Sequence, residues 1–183
     1  MVQVLVIDTG VIIHAKQLFW NKDAYFVTVP SVLEEIIDQK NQIYMDLLLT
    51  QKSLKIISPK DPNVIFVRNE VCEHLGEAKN LSKTDIDLVA LALELKKEGK
   101  NVIICTHDLS IQNLANYLGL KFWGEKKIKK RIKWEFRCKG CGRTYSNKEL
   151  EELKIEVCSV CGSEIRRFPS KTIQIRKNSY NIS

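Results

Sequence analysis

Residues 2–10 read VQVLVIDTG. The run is short, largely apolar and rich in β-branched residues, and it stops at Asp8. That pattern predicts a strand buried on both faces, the kind found in parallel sheets. Working outward, four further short apolar runs repeat it: FVTV at 26–29, LKII at 54–57, NVIIC at 101–105 and KFW at 121–123. Between them lie segments with helical spacing. These are VIIHAKQLF (11–19), VLEEIID (32–38) after Pro30, NQIYMDLLLTQK (41–52), PNVIFVRNEVCEHLG (62–76), KTDIDLVALALELKKEG (83–99) and LSIQNLANYLG (109–119). Ser82 caps the fifth of these helices and Gly99 ends it. Strands alternating with helices, without hairpin signals, predict a doubly wound α/β sheet.

Such sheets carry their working groups beyond the carboxyl ends of the strands. Asp8 directly follows one buried strand, and Asp108 follows another with Thr106 and His107 between. Glu34 and Glu35 lie early in the helix after Pro30, and Asp85 and Asp87 at the front of the long helix. An Asp after a strand also serves as a turn former or helix cap, and an acid at a helix start suits the helix dipole. The apolar positions Val32, Leu33, Ile36 and Ile37 do not decide between Glu34 and Glu35. Carboxylates gathered at one cleft repel one another and raise their pKa values unless a cation joins them. Magnesium or manganese held by such groups stabilises the charges of phosphodiester hydrolysis.

The charge is divided along the chain. Residues 1–120 hold 12 Lys/Arg and 15 Asp/Glu, while residues 121–183 hold 17 and 7, so a net of +10 sits in the last third. A field of that sign attracts nucleic acid. No secretory signal and no bilayer-length apolar run is visible, which predicts a cytoplasmic protein without a membrane.

Four of the six cysteines form two C-x-x-C-G knuckles, Cys138/Cys141 and Cys158/Cys161. This is the spacing of a tetrahedral four-cysteine zinc site, closed and structural. Basic residues surround it: Lys126, Lys127, Lys129, Lys130, Arg131 and Lys133 before it, and Arg137, Lys139, Arg143, Arg166, Arg167 and Lys171 about the knuckles. Tyr145, Phe136 and Phe168 lie among them. These groups can grip phosphates and stack bases. The aromatics can equally form the small core of the cysteine module, Phe136 above all, and the module can simply prop up the fold. Cys72 and Cys105 lie in apolar surroundings and are expected to be buried thiols.

VLVIDTG, VPSVLEEI, LSKTDIDLVALA and ICTHDLSIQNLA, in that order and spacing, resemble the four acidic blocks of PIN-domain nucleases. The resemblance covers roughly residues 1–123. It implies an α/β fold with a PIN-like parallel five-stranded sheet and flanking helices, and a metal-dependent ribonuclease site. Block by block it assigns the catalytic acids to Asp8, Glu35, Asp85 and Asp108, with Asp87 as an added ligand for one or two manganese or magnesium ions. In the fourth block His107 stands where the pattern leads one to expect an acid. Together with a small C-terminal zinc ribbon, the chain resembles the Nob-family endonucleases in their archaeal form. That resemblance implies cleavage of precursor small-subunit rRNA at its 3′ end, within a pre-ribosomal particle.

The expected organisation is a nuclease domain at 1–124, a basic helix-capable linker at 125–135, the zinc ribbon at 136–171 and a tail at 172–183. Two other readings compete: a different PIN ribonuclease of toxin or RNA-decay type, and a non-catalytic RNA-binding assembly factor.

Overall fold

In the computed structural model, which describes residues 3–14, 24–51, 53–152, 154 and 156–175, the five expected strands pair in one parallel sheet. They are β1 (Gln3–Ile7), β2 (Ala24–Thr28), β3 (Leu54–Ile56), β4 (Asn101–Cys105) and β5 (Lys121–Trp123), in the order β3-β2-β1-β4-β5. The order runs outward in both directions from the β1–β4 pair. A crevice therefore opens beyond the carboxyl ends of those two strands. Val4 to Ile7 and Ile103 to Cys105 are each at most 2% exposed, which explains their unbroken apolar sequence.

Helices cover the sheet. α1 (Thr9–His14) follows β1; the rest of the helix expected there, residues 15–19, lies outside the described residues. α2 (Pro30–Glu35) ends at Glu35, where the chain turns extended at Ile36. The expected continuation to residue 38 fails because Asp38 caps the next helix, α3 (Gln39–Thr50), accepting from the Asn41 backbone N–H at 3.1 Å. The stretch expected at 62–76 is helical. α4 (Asp61–Phe66) passes through a π-helical segment (Val67–Cys72) into α5 (Glu73–Leu75), and Gly76 ends it at φ 68°. α6 (Lys83–Lys97) is buried nearly all round, with Leu88, Val89, Ala90, Leu91 and Ala92 at 0% exposure. α7 (Leu109–Tyr117) completes this half. Cys72 and Cys105 are buried, as expected, and burial pushes both thiols up to about 12.

A second, antiparallel sheet follows, in the order β7-β6-β8: β6 (Lys130–Cys138), β7 (Thr144–Tyr145) and β8 (Ile165–Gln174). α8 (Asn147–Glu152) lies between β7 and β8. The second half of the expected helix-capable linker is therefore strand, starting at Lys130. Lysine and arginine favour helices locally, but Ile132, Trp134 and Phe136 alternate with charged residues. That two-residue period lets the segment pair with β8 along its whole length, with one register shift between Lys133 and Trp134. The sheet consequently spans 130–174, wider than the expected ribbon. Of the expected tail, residues 176–183 lie outside the described residues.

Candidate active site and nucleic-acid interface

The register of β1 against β4 pairs Ile7 with Cys105, so Asp8 and Thr106 emerge side by side. Thr106, with no exposed surface, donates its hydroxyl to Asp8 Oδ2 at 2.6 Å and accepts the Asp108 backbone N–H at 2.9 Å. Asp108 caps α7, its Oδ1 accepting from the N–H groups of Ser110 (2.5 Å) and Ile111 (3.3 Å). Across the crevice, Thr9 donates its hydroxyl to Glu35 Oε2 at 2.6 Å. Asp85 forms a capping box with Ser82, its Oδ2 taking the Ser82 N–H (2.7 Å) and hydroxyl (2.9 Å).

One pattern recurs in all four acids. A hydroxyl or amide holds one carboxylate oxygen of each, and the Thr9 backbone N–H also bonds to the Asp8 carboxylate. Tethering restricts each rotamer, and every carboxylate still offers lone pairs for a hard ligand. The charges also interact. Burial, then repulsion from Asp85 and Asp108, raises the Asp8 carboxyl above its usual value of 3.8, against the opposing Thr106 bond. Burial likewise raises Asp85, with Asp108 and Glu35 adding repulsion and Ser82 opposing. These are the signs of a site short of positive charge. An all-carboxylate donor set of this kind suits magnesium or manganese.

Asp87 stands apart. It is 8% exposed, accepts from Ser31 Oγ at 3.4 Å, and the charges facing it are the cations Lys83 and Arg68. Glu34 is exposed to solvent. His107 accepts the Glu125 backbone N–H on Nδ1 at 3.3 Å and lies in the loop before α7. The sequence marks Ser82 only as a helix cap, and it gives Thr9 and Thr106 no role. Their adjacency to the acids was the available signal.

Thr106→Val removes the hydroxyl that opposes the rise of the Asp8 pKa. The expected result is a roughly ten- to hundredfold slower reaction, with the acid limb of the rate–pH profile moved to higher pH. A profile superimposable on that of the unaltered protein would contradict the assignment.

The cysteine quartet is the cluster, among the described residues, whose ligand atoms all lie within 4.8 Å of one another. Its two knuckles match. The Cys138 and Cys158 N–H groups donate to Arg143 O and Ser163 O, both at 2.8 Å, and the Gly142 and Gly162 N–H groups return to Cys138 O and Cys158 O. Gly142 and Gly162 take φ of 76° and 70°, the conformation that favours glycine. A side chain at Gly140 would collide with Ser163 Oγ, 2.3 Å from the Cβ position. The Tyr145 hydroxyl donates to Cys158 Sγ at 3.1 Å and holds that thiol down to about 6. The quartet is positioned to bind a metal ion.

Two residues expected to contact RNA are engaged inside the protein. Tyr145 is 5% exposed and packs with Cys138, Leu150 and Cys158, with Arg143 over its ring. Its ring belongs to the small core and offers no stacking face, a correction that follows from β7 laying it against the metal site. Arg167 pairs with buried Glu77 and lies over Trp134. Lys126, Lys127, Lys129, Lys130, Arg137, Lys139, Arg143, Arg166 and Lys171 are exposed, and Arg131 and Lys133 half-buried. Phe136 packs against the small core, as its alternative reading foresaw.

Residues 5–95 match the family described as PIN domain of ribonuclease. The chain is 36% identical over 170 residues to Endoribonuclease Nob1 of Archaeoglobus fulgidus, covering 91% of this chain and 92% of that protein. It is 34% identical over 177 residues to Ribonuclease VapC1 of Thermoplasma acidophilum, covering 95% and 83%. It is 36% identical over 94 residues to the 20S-pre-rRNA D-site endonuclease nob1 of Schizosaccharomyces pombe, covering 51% of this chain and 24% of that protein.

Proposed function

From the premise that this chain belongs to the Nob1 family of PIN-domain endoribonucleases, we propose that it cuts precursor small-subunit rRNA at the 3′ end of the mature sequence. What supports the reading is the mutual repulsion that links Asp8, Asp85, Asp108 and Glu35, together with the excess of Lys and Arg in the last third of the chain. Manganese or magnesium held by these carboxylates would supply Lewis-acid chemistry, polarising the phosphate and activating water. The chain's own part is to fix those groups. Thr9, Ser82, Thr106 and the α7 amides do so before substrate arrives, so the carboxylates need little rearrangement on binding. Asp87, held by Ser31 and faced by Lys83 and Arg68, is assigned no role in the reacting centre.

The cysteine quartet would hold one structural zinc ion, its thiolates filling all four positions. Exposed Lys and Arg along residues 126–139, with Arg143, Arg166 and Lys171, would bind RNA phosphates and supply affinity and register. Among the described residues no helix is long and apolar enough to cross a membrane. The proposed setting is a pre-ribosomal particle in the cytoplasm.

The test is a transcript spanning the 3′ end of small-subunit rRNA, incubated with and without manganese, followed by end mapping. One dominant metal-dependent cut is expected. Cutting at the same rate in chelator, or no cut, would overturn the reading. A second reading is a different PIN ribonuclease, of toxin type, acting without its second sheet; the chain is also similar to a protein named Ribonuclease VapC1. Replacing Arg137, Lys139, Arg166 and Lys171 together with alanine separates the two. On the rRNA reading, affinity falls about tenfold or more and the salt dependence flattens. On the toxin reading, neither changes.

A further inference from the structure

Between the two sheets runs a seam of buried polar side chains that the acid crevice does not use. Glu77, 1% exposed, follows Gly76 at the end of α5. Its Oε1 accepts from Asn113 Nδ2 at 2.9 Å and from Trp134 Nε1 at 3.1 Å, and its Oε2 pairs with the Arg167 guanidinium. That guanidinium lies 4.1 Å over the Trp134 ring. One carboxylate thus joins α7, β6 and β8.

Asn113 and Gln112 extend the seam. Asn113 Oδ1 takes the Ile132 N–H (2.9 Å) and Nδ2 donates to Ile132 O (2.8 Å), so the side chain stands in for a neighbouring strand at the edge of β6. Gln112 Nε2 donates to Thr106 O (3.2 Å) and Lys126 O (2.8 Å), while its Oε1 accepts the Ile128 N–H (3.0 Å). Thr106 is the residue that holds Asp8, so the seam reaches the acid crevice itself. The contact is close: a Cβ on Gly76 would lie 2.4 Å from Trp134 O.

Parting the halves would strip a buried carboxylate of its donors and leave buried amides unpaired, both strongly unfavourable. The seam therefore holds the basic sheet and the acid crevice as one body. An RNA gripped by the basic sheet then meets the carboxylates at a separation the protein dictates. We propose that Glu77 is a positioning residue that locks the second sheet against the nuclease half and thereby sets where along a bound RNA the cut falls. The cutting part of this proposal rests on the nuclease reading above; the locking part does not.

The experiment uses the full chain with its metals, as wild type, Glu77→Ala and the gentler Trp134→Phe, which removes one donor and keeps a ring. Amide relaxation without RNA reads whether the two sheets tumble together. Cut mapping uses an RNA hairpin with a long unpaired 3′ extension, and a short unstructured RNA serves as the control. In Glu77→Ala the sheets should acquire separate correlation times. The single cut should spread over several neighbouring positions, while turnover of the short RNA stays within about twofold. Trp134→Phe should show the same changes to a lesser degree. A single correlation time in Glu77→Ala overturns the lock, and an unmoved single cut overturns its role in register. If wild type cuts neither RNA with manganese, the nuclease reading and the register role fall together, and the relaxation result still decides the lock.

Discussion

Asp8→Asn should reduce metal-dependent RNA cleavage by at least about a hundredfold, the largest effect expected of any single change. The amide keeps the size of the side chain and can still accept from Thr106, so the fold should survive while the negative charge is lost. The same change should stabilise the metal-free protein. The sign follows from linkage. The Asp8 carboxyl has a folded pKa above its ordinary 3.8. Between the two values the folded chain keeps a proton that the unfolded chain has released. The stabilising contribution is complete below about 3.8 and disappears as pH rises through the folded value. At neutral pH the ionised, buried Asp8 is therefore a burden that asparagine removes. Thermal melts in chelator should give a higher Tm for Asp8→Asn than for wild type, with the gap closing on acidification. Equal cleavage rates, or a lower Tm at neutral pH, would contradict the site as drawn.

Removing the metal from the cysteine quartet should have the second largest effect. The cluster of buried residues around it comprises Cys138, Tyr145, Leu150 and Cys158, with Phe136 and Ile165 packed alongside. So few apolar groups cannot hold a module of this size against chain entropy, and structural zinc is worth on the order of 10 kcal/mol or more in such knuckles. Prolonged chelation, or Cys138→Ser, should unfold the region around α8 and the knuckles and lower RNA affinity roughly tenfold or more. The five-stranded sheet has its own large core and should remain folded. Amide exchange would show this as loss of protection confined to residues near 136–165, and metal analysis should give one zinc per chain. Uniform protection after complete metal loss would refute the structural role.

The strand ends and the cysteine spacing were the legible parts of the chain. VQVLVI and NVIIC could be read as buried parallel strands because both faces are covered, and their register then dictates that Asp8 meets the loop bearing Asp108. Helix periodicity could not choose Glu35 over Glu34, because neither points at the core. The choice came from resemblance, and the Thr9 hydrogen bond agrees with it. Positive charge was the misleading part. In residues 125–135 the lysines and arginines speak for helix locally, while pairing with β8 decides for strand. Tyr145 and Arg167 looked like RNA contacts because composition cannot show which faces a strand turns inward. Glu77, Gln112 and Asn113 carried no isolated signal, since their partners lie on strands whose register was unknown.

The four acids are spread from residue 8 to residue 108, and β4 must slot beside β1 before the first and last of them can meet. A polypeptide still emerging from the ribosome therefore has no completed cleft until residue 108 has followed the first three acids. The machine that builds this chain is itself made of RNA. The late arrival of the fourth carboxylate delays the assembled cutting centre until the nuclease half is nearly out of the exit tunnel.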